Sequence, residues 1–291
     1  MKTDYQLIDS GHFQKLEQVG PHRLVRPSPQ AVWSPRLPAE QWKQVDAKFD
    51  RFAGGDGKWT IFNKSLPKRW TISQGPVTFT VGLTDFGHLG IFPEQDSNWH
   101  ELHTLIRSQK KSADFSVLNL FAYTGGSTLA CASAGAKVVH LDASKTSVQW
   151  ARENAEASGL KEAPVRWIVD DVQKFVEREV RRGSKYHGVI LDPPSFGRGT
   201  QNEVWKIEDH LIPLLANIKQ LLDDAFSFVL LSCHSTGYTP MALTNLLKEI
   251  TPERGGRYES REMLIQEIDE SSTKFGSRSL PSGASCLYTT S

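Results

Sequence analysis

The sequence predicts an α/β protein: a Rossmann-like sheet of five parallel strands, finished by a C-terminal antiparallel hairpin and preceded by a small strand-rich domain. Three observations predict it. Up to Phe92 the chain is made of short alternating runs broken by glycine and aspartate, the texture of strands joined by tight turns. After Glu94 it changes to short apolar runs, each followed by a helical pattern, the alternation of a parallel sheet covered on both faces. The last two strand-like runs are joined by a polar stretch, Asp269 to Pro281, which favours an antiparallel pair over a helical crossover. The implied division is 1–93 and 94–291.

In order along the front domain, YQLI, HRLVRP, KWTIF, RWTI, PVTFTVGL and HLGIF predict strands, separated by SG, GGDG, SQG and DFG, and the segment LPAEQWKQVDAKFDRF predicts a short helix among them. In the second domain the predicted strands are Val117–Phe121, Lys137–Leu141, Val165–Val169, His187–Leu191 and Phe226–Leu231. Helices are expected near 127–134, 144–157, 171–182, 207–223 and 239–250. Ser144 can cap the second of these and Gly159 can end it in a left-handed conformation. YESREMLIQEI and SCLYTTS supply the closing hairpin.

The chain has 291 residues, 38% hydrophobic and 23% charged, which excludes a mainly disordered protein. A net charge of +1 advertises no polyanionic partner over the whole surface. Residues 1–75 carry twelve Lys/Arg against seven Asp/Glu, with Lys15, His22, Arg23, Arg26, Lys64, Lys68 and Arg69 near Trp33, Trp59 and Trp70. That pattern is a mild nucleic-acid signal or ordinary solvated charge. The three cysteines show none of the close pairs of metal sites or disulfide frameworks, so no metal is expected. With no signal-like segment or bilayer-length apolar run, a soluble cytoplasmic protein is expected.

In open α/β sheets ligands sit beyond the carboxyl ends of the strands. The first tip, LNLFAYTGGSTLACASAGA, puts Gly125 and Gly126 before a helix of small residues. It lacks the G-x-G-x-x-G spacing of a dinucleotide site, so a ligand without phosphate is favoured over a nicotinamide cofactor. The second tip ends in Asp142, which can take both hydroxyls of a ribose or cap a helix. The third ends in Asp170 and Asp171, either able to accept from an adenine amino group, with Asp171 preferred. Together they describe S-adenosylmethionine.

The fourth tip, LDPPSFGRG, carries Asp192, Pro193, Pro194 and Phe196. It looks like the (Asp/Asn)-Pro-Pro-aromatic loop of nucleic-acid methyltransferases, which sets a base beside the methyl donor. Here Ser195 intervenes before the aromatic, a departure from the amino-methylating pattern. The fifth tip has Cys233 and His234 and resembles the Ser/Thr-Cys-Ser tip of RNA cytosine-C5 methyltransferases, whose thiolate adds to the pyrimidine before methyl transfer. Histidine stands where that motif has serine. Cys233 is therefore either a catalytic nucleophile, with the carboxylate of Asp192 nearby as the catalytic partner where a base must remove the C5 proton, or a core residue; Cys131 and Cys286 read as core.

Taken together, these tips with LDASK, ARENA and VDDVQKF are similar to class I S-adenosylmethionine-dependent methyltransferases, especially bacterial enzymes that modify large-subunit ribosomal RNA. The likeness covers most of the chain, although the first ninety or so residues match no RNA-binding domain typical of those enzymes. It implies that Gln95 and Asn98 or Trp99 close over the methionine end of the cofactor. It further implies that Phe121, Tyr123, Thr124 and Ala143 line the same pocket as Gly125, Gly126, Asp142, Asp170, Asp171 and Asp192. Pro193, Pro194, Phe196, Arg198, Glu203 and Trp205 would then shape the substrate side, with a plain core aromatic as the other reading of Trp205. The expected activity is methyl transfer to an RNA base, ribosomal RNA favoured and cytosine C5 among the candidates; protein or small-molecule acceptors and a non-catalytic scaffold are the alternatives.

Overall fold

The computed structural model describes residues 3–52, 56–109, 114–199, 203–252, 255–268 and 278–290. The chain forms two compact units: Met1–Asp96 with Leu264–Ser282, and Ser97–Met263 with Gly283–Ser291. Part of the polar link expected between the last strands, 269–277, lies outside the described residues, as do Thr200, Gln201 and Asn202.

In the first unit β1 (Tyr5–Gly11), β2 (Gln14–Val19), β3 (His22–Pro27), β4 (Ala47–Arg51) and β5 (Gly57–Ile61) form one sheet in that order. All its pairs are antiparallel except β3–β4, whose connection runs through a short helix, α1 (Ala39–Lys43). β6 (Arg69–Gln74) and β7 (Val77–Gly82) form a separate antiparallel hairpin, turning at Gly75 with φ +57°. Two expectations change. AKFDR is a strand, because Ala47 and Phe49 alternate inward and Phe49 packs on Trp59 across the pair. HLGIF forms no strand; Gly87 and Gly90, at φ +75° and +83°, bend the backbone out of the extended region.

The unit buries charge in pairs. Glu17 accepts from Tyr5 Oη at 2.6 Å and from Arg26 Nε and Nη2 at 2.7 and 2.8 Å, with Lys15 Nζ at 3.1 Å. Burial alone would raise its carboxyl, but Arg26 and Lys15 outweigh that and hold it at about 2. A second cluster fixes Leu264–Ser282 within the same unit. Asp9 accepts from Arg278 at 2.8 Å, from Trp42 Nε1 at 3.1 Å and from the backbone of Leu37 at 2.9 Å. Glu267 meets Arg36 at 3.0 Å, Arg278 at 3.2 Å and the Ser10 hydroxyl at 2.6 Å. Lys15 and Arg26 are therefore structural, which removes two cations from the nucleic-acid pattern of the front segment. The indoles of Trp33, Trp59 and Trp70 likewise donate to the carbonyls of Ser10, Thr84 and Val19.

The second unit holds most of α2 (Asp96–Arg107), which the sequence reading did not single out. There follow β8 (Ser116–Leu120), α3 (Gly126–Ser133), β9 (Lys137–Asp142), α4 (Lys145–Ala157), β10 (Val165–Val169) and α5 (Val172–Arg182). Next come β11 (Gly188–Leu191), β12 (Phe196–Arg198), β13 (Val204–Lys206) and α6 (Ile207–Lys219). The chain ends with β14 (Phe228–Cys233), α7 (Pro240–Ile250), β15 (Gly256–Gln266) and β16 (Ser279–Thr290). The main sheet has the order β10-β9-β8-β11-β14-β16-β15. Pairs from β10 to β14 are parallel and β14–β16 is antiparallel. This is the predicted Rossmann-like sheet with its antiparallel end.

Both faces of that sheet are buried, as parallel strands require. Leu118, Leu120, Val189, Leu191, Val229 and Leu231 point to one side, and Val117, Ile190, Phe228 and Leu230 to the other. Helix ends are set locally. Ser144 accepts from Ser147 N at 3.1 Å to start α4, and Gly159 follows its end at φ +69°. No helix among the described residues is long and apolar enough to cross a membrane.

Candidate active site at the strand tips

The chain lays β8, β9 and β10 towards one edge and then returns to set β11 on the other side of β8. Strand order therefore reverses between β8 and β11, where a ligand crevice opens in such sheets. The turn after β8 is strained: Phe121 and Tyr123 take φ +56° and +49°, and Gly125 takes +90°. A non-glycine residue there costs roughly 1–3 kcal/mol, held in place only when its surroundings dictate it. Here they do. Tyr123 N donates to Asp142 Oδ2 at 2.9 Å, and Asn154 Nδ2 donates to Thr124 O at 2.9 Å. Beneath the turn Thr128 Oγ1 meets Asn119 Nδ2 at 2.8 Å and His140 Nδ1 at 2.9 Å, and burial pushes His140 down to about 3.

The two glycines answer to different neighbours. Gly125 is required by its φ, while a Cβ on Gly126 would come within 2.5 Å of the Trp99 indole. Trp99 is thus a packing partner of the turn. Asn98 is buried too, its Oδ1 accepting from Arg261 Nη2 at 2.8 Å. Gln95 closes the 3-10 turn Pro93–Gln95 and is buried in the first unit.

Asp142 and Asp170 end adjacent parallel strands, with Asp170 N bonded to Asp142 O at 3.2 Å. Asp142 Oδ1 accepts from Ser144 N at 2.8 Å; burial raises its carboxyl while the Ser144 and Tyr123 N–H groups pull it back. Ala143, next along, is half-buried. Asp170 pairs with Arg178, and Asp171 caps α5 by accepting from Lys174 N at 3.0 Å. Since a carboxylate offers about four acceptor sites, Asp142 and Asp171 keep capacity beyond these bonds. The strained open turn, the half-buried Asp142 and the capping Asp171 fit the ribose and adenine of an adenosyl ligand, with no phosphate cradle among them.

After β11 the backbone passes Asp192, Pro193 and Pro194 into a β12–β13 hairpin that was not legible in sequence. Trp205, a buried residue of β13, donates Nε1 to Pro194 O at 2.7 Å and packs on Phe121, ring centres 4.8 Å apart. It therefore ties the Pro-Pro loop to the first tip. The other side of the hairpin faces outward: Phe196 lies opposite Lys206 and Arg198 opposite Val204, with Phe196 56% exposed. Glu203 pairs with Lys174 of α5.

Cys233 closes β14 and is 1% exposed, its Sγ accepting from Ser235 N at 3.4 Å. Burial pushes its thiol up, and Asp192 adds to that. These are the surroundings of a neutral core thiol. Its neighbour His234 opens outward, Nδ1 at 3.5 Å from Asp192 Oδ1, and Ser195 and Ser235 hydroxyls stand 2.7 Å apart. Sequence reasoning registered His234 and Ser195 only as departures from motifs. Their partners, Asp192 and Ser235, stand about forty positions away, which no local pattern reveals.

Comparison with known proteins bears on this geometry. Residues 23–233 match the family described as S-adenosylmethionine-dependent methyltransferase. The chain is similar to the ribosomal RNA large subunit methyltransferase K/L of Pseudoalteromonas atlantica, 31% identical over 69% of this chain and 26% of that one. It is also similar to the ribosomal RNA large subunit methyltransferase I of Aeromonas salmonicida, 42% identical over 43% of this chain and 30% of that one. These matches thus span less than a third of either relative. A crystal structure of an S-adenosylmethionine-dependent methyltransferase from Agrobacterium tumefaciens superimposes with TM-score 0.92 at 38% identity, covering 99% of this chain and 91% of that one.

Proposed function

This chain belongs to the S-adenosylmethionine-dependent methyltransferase family, and we propose that it delivers the methyl group to a base of RNA, ribosomal RNA foremost, in the cytoplasm. The observation that carries this reading is the outer face of the β12–β13 hairpin. An exposed ring at Phe196, with Arg198 beside it and Lys206 across from it, offers a base a stacking surface and its phosphates two cations. The names of the curated relatives agree with it.

In this reading Asp142 takes the ribose hydroxyls of the cofactor, and Asp171 the adenine amino group, since Asp170 is engaged by Arg178. Phe121, Tyr123, Thr124, Gly125 and Ala143 form the wall of the pocket, and Gly126 with Trp99 holds that wall from behind. When bound, S-adenosylmethionine supplies a methyl group on positively charged sulfur. The protein's part is orientation: Pro193 and Pro194 stiffen the loop that brings Asp192 and the acceptor to that methyl, and Trp205 fixes the loop by its bond to Pro194 O. A base within a helix has to be flipped or presented in a loop.

The test is transfer of labelled methyl from S-adenosylmethionine to ribosomal RNA from a strain lacking this protein. Wild type should label RNA. Asp142→Ala should weaken cofactor binding in calorimetry about 10- to 100-fold, as for loss of hydrogen bonds to a charged group. Phe196→Ala should leave cofactor affinity intact and raise KM for RNA. Cofactor binding without any labelled RNA would overturn the acceptor and direct the search to proteins and small molecules.

A further inference from the structure

Two departures from the methyltransferase motifs, Ser195 and His234, lie on the same pair of strand tips. Ser195 and Ser235 join the tips through their hydroxyls at 2.7 Å. Asp192 Oδ1 faces His234 Nδ1 at 3.5 Å, an ion-pair distance longer than a good hydrogen bond. Their side chains are 27% and 34% exposed, so each is partly open to solvent. A carboxylate beside Nδ1 holds the proton on that nitrogen, making Nε2 the ring's basic atom, and favours the imidazolium that forms when Nε2 takes a proton. Gly283 of β16 approaches the other side of the ring: a Cβ there would stand 3.1 Å from His234 Cδ2. Cys233 is the neighbouring ionisable group on the strand of His234, and Tyr238 with Glu208 of α6 lies beyond it.

Within the reading of RNA as acceptor, we infer that His234, oriented by Asp192, is the base that takes the proton a nucleobase nitrogen loses on methylation. The nitrogen lone pair forms the new N–C bond, the electrons of the broken S–C bond remain on sulfur, and the N–H proton passes to His234 Nε2. The imidazolium then gives its proton to water. Nitrogen is favoured over C5 of a pyrimidine because the carbon needs a thiolate adduct to become nucleophilic. The thiol at the tip, Cys233, is shut into the core.

The test has two arms. In the first, NMR follows the His234 ring against pH in the free protein, the signal assigned by its loss in His234→Gln. Asp192→Asn should lower that titration midpoint; an unchanged midpoint overturns the pairing, whatever the acceptor is. In the second, methyl transfer to the same ribosomal RNA is measured against pH. Wild type should rise with a single proton loss as His234 becomes neutral. His234→Gln should lose that limb and fall at least about 100-fold in kcat, the usual range for a general base, with cofactor affinity by calorimetry retained. A limb that survives in His234→Gln, or labelled C5, overturns the assignment of His234 alone. RNA left unlabelled by wild type overturns the acceptor and with it the nitrogen, while the NMR arm still decides whether Asp192 governs the ring.

Discussion

In the first unit Glu17, Asp9 and Glu267 are fully enclosed and meet arginines or a lysine. In the second, Asp142, Asp170, Asp171 and Asp192 stand half-buried at the ends of parallel strands over an apolar sheet. The difference separates two uses of the same side chain. An enclosed carboxylate whose lone pairs are taken by guanidinium and hydroxyl groups holds elements together. One left half-open at a strand tip and steadied by a backbone N–H or two, as Asp142 and Asp171 are, keeps acceptor capacity that a ligand can use.

The largest expected effect breaks this contrast at its strongest point. Arg26→Ala leaves Glu17 buried without its main partner and should cost the first unit about 3–5 kcal/mol in chemical denaturation. Arg178→Ala, which strips half-open Asp170 in the same way, should cost under about 1 kcal/mol. Similar losses in both variants would erase the distinction.

Acid should draw the same line. Glu17 sits at about 2 in the folded protein, below its ordinary 4.5. Its ionised form is thus favoured by folding, and that stability is present above the ordinary value and lost as pH falls through the folded one. The first unit should lose about 3 kcal/mol between about pH 5 and pH 2, read by tryptophan fluorescence, and Glu17→Gln should flatten that loss. The smallest effect concerns the thiol: Cys233→Ala should change methyl transfer by less than about twofold and stability by about 1 kcal/mol, as for an ordinary buried side chain. Loss of activity with folding intact would restore Cys233 as a nucleophile.

The second unit was largely readable from sequence because its strands are continuous apolar runs. All but the fifth end at or just before a glycine turn, an aspartate or a proline pair, and the helices between them carry their own caps at Ser144 and Asp171. What escaped was short or non-local. The β12–β13 hairpin has three residues per strand, too few for alternation to show. AKFDR was masked by the helical residues just before it, and HLGIF carried strand composition on a backbone bent by two glycines. The roles of Lys15 and Arg26 depended on Glu17 across the sheet. The bond from Trp205 to Pro194 and the facing of Asp192 and His234 depended on loops whose paths composition does not encode.

The return of Leu264–Ser282 to the first unit sets an order of assembly during synthesis. Strands β8 to β14 and their helices lie within residues 116–250 and find their partners as they emerge. Asp9, Ser10 and Arg36 are made before that sheet, yet their partners Glu267 and Arg278 follow some 230 to 270 residues after them. The methyltransferase sheet can pair its parallel strands while the unit made first still holds unmatched charges. A ribosome stalled before residue 267 would therefore carry the parallel strands of the cofactor fold while Asp9 and Arg36 still wait for Arg278 and Glu267.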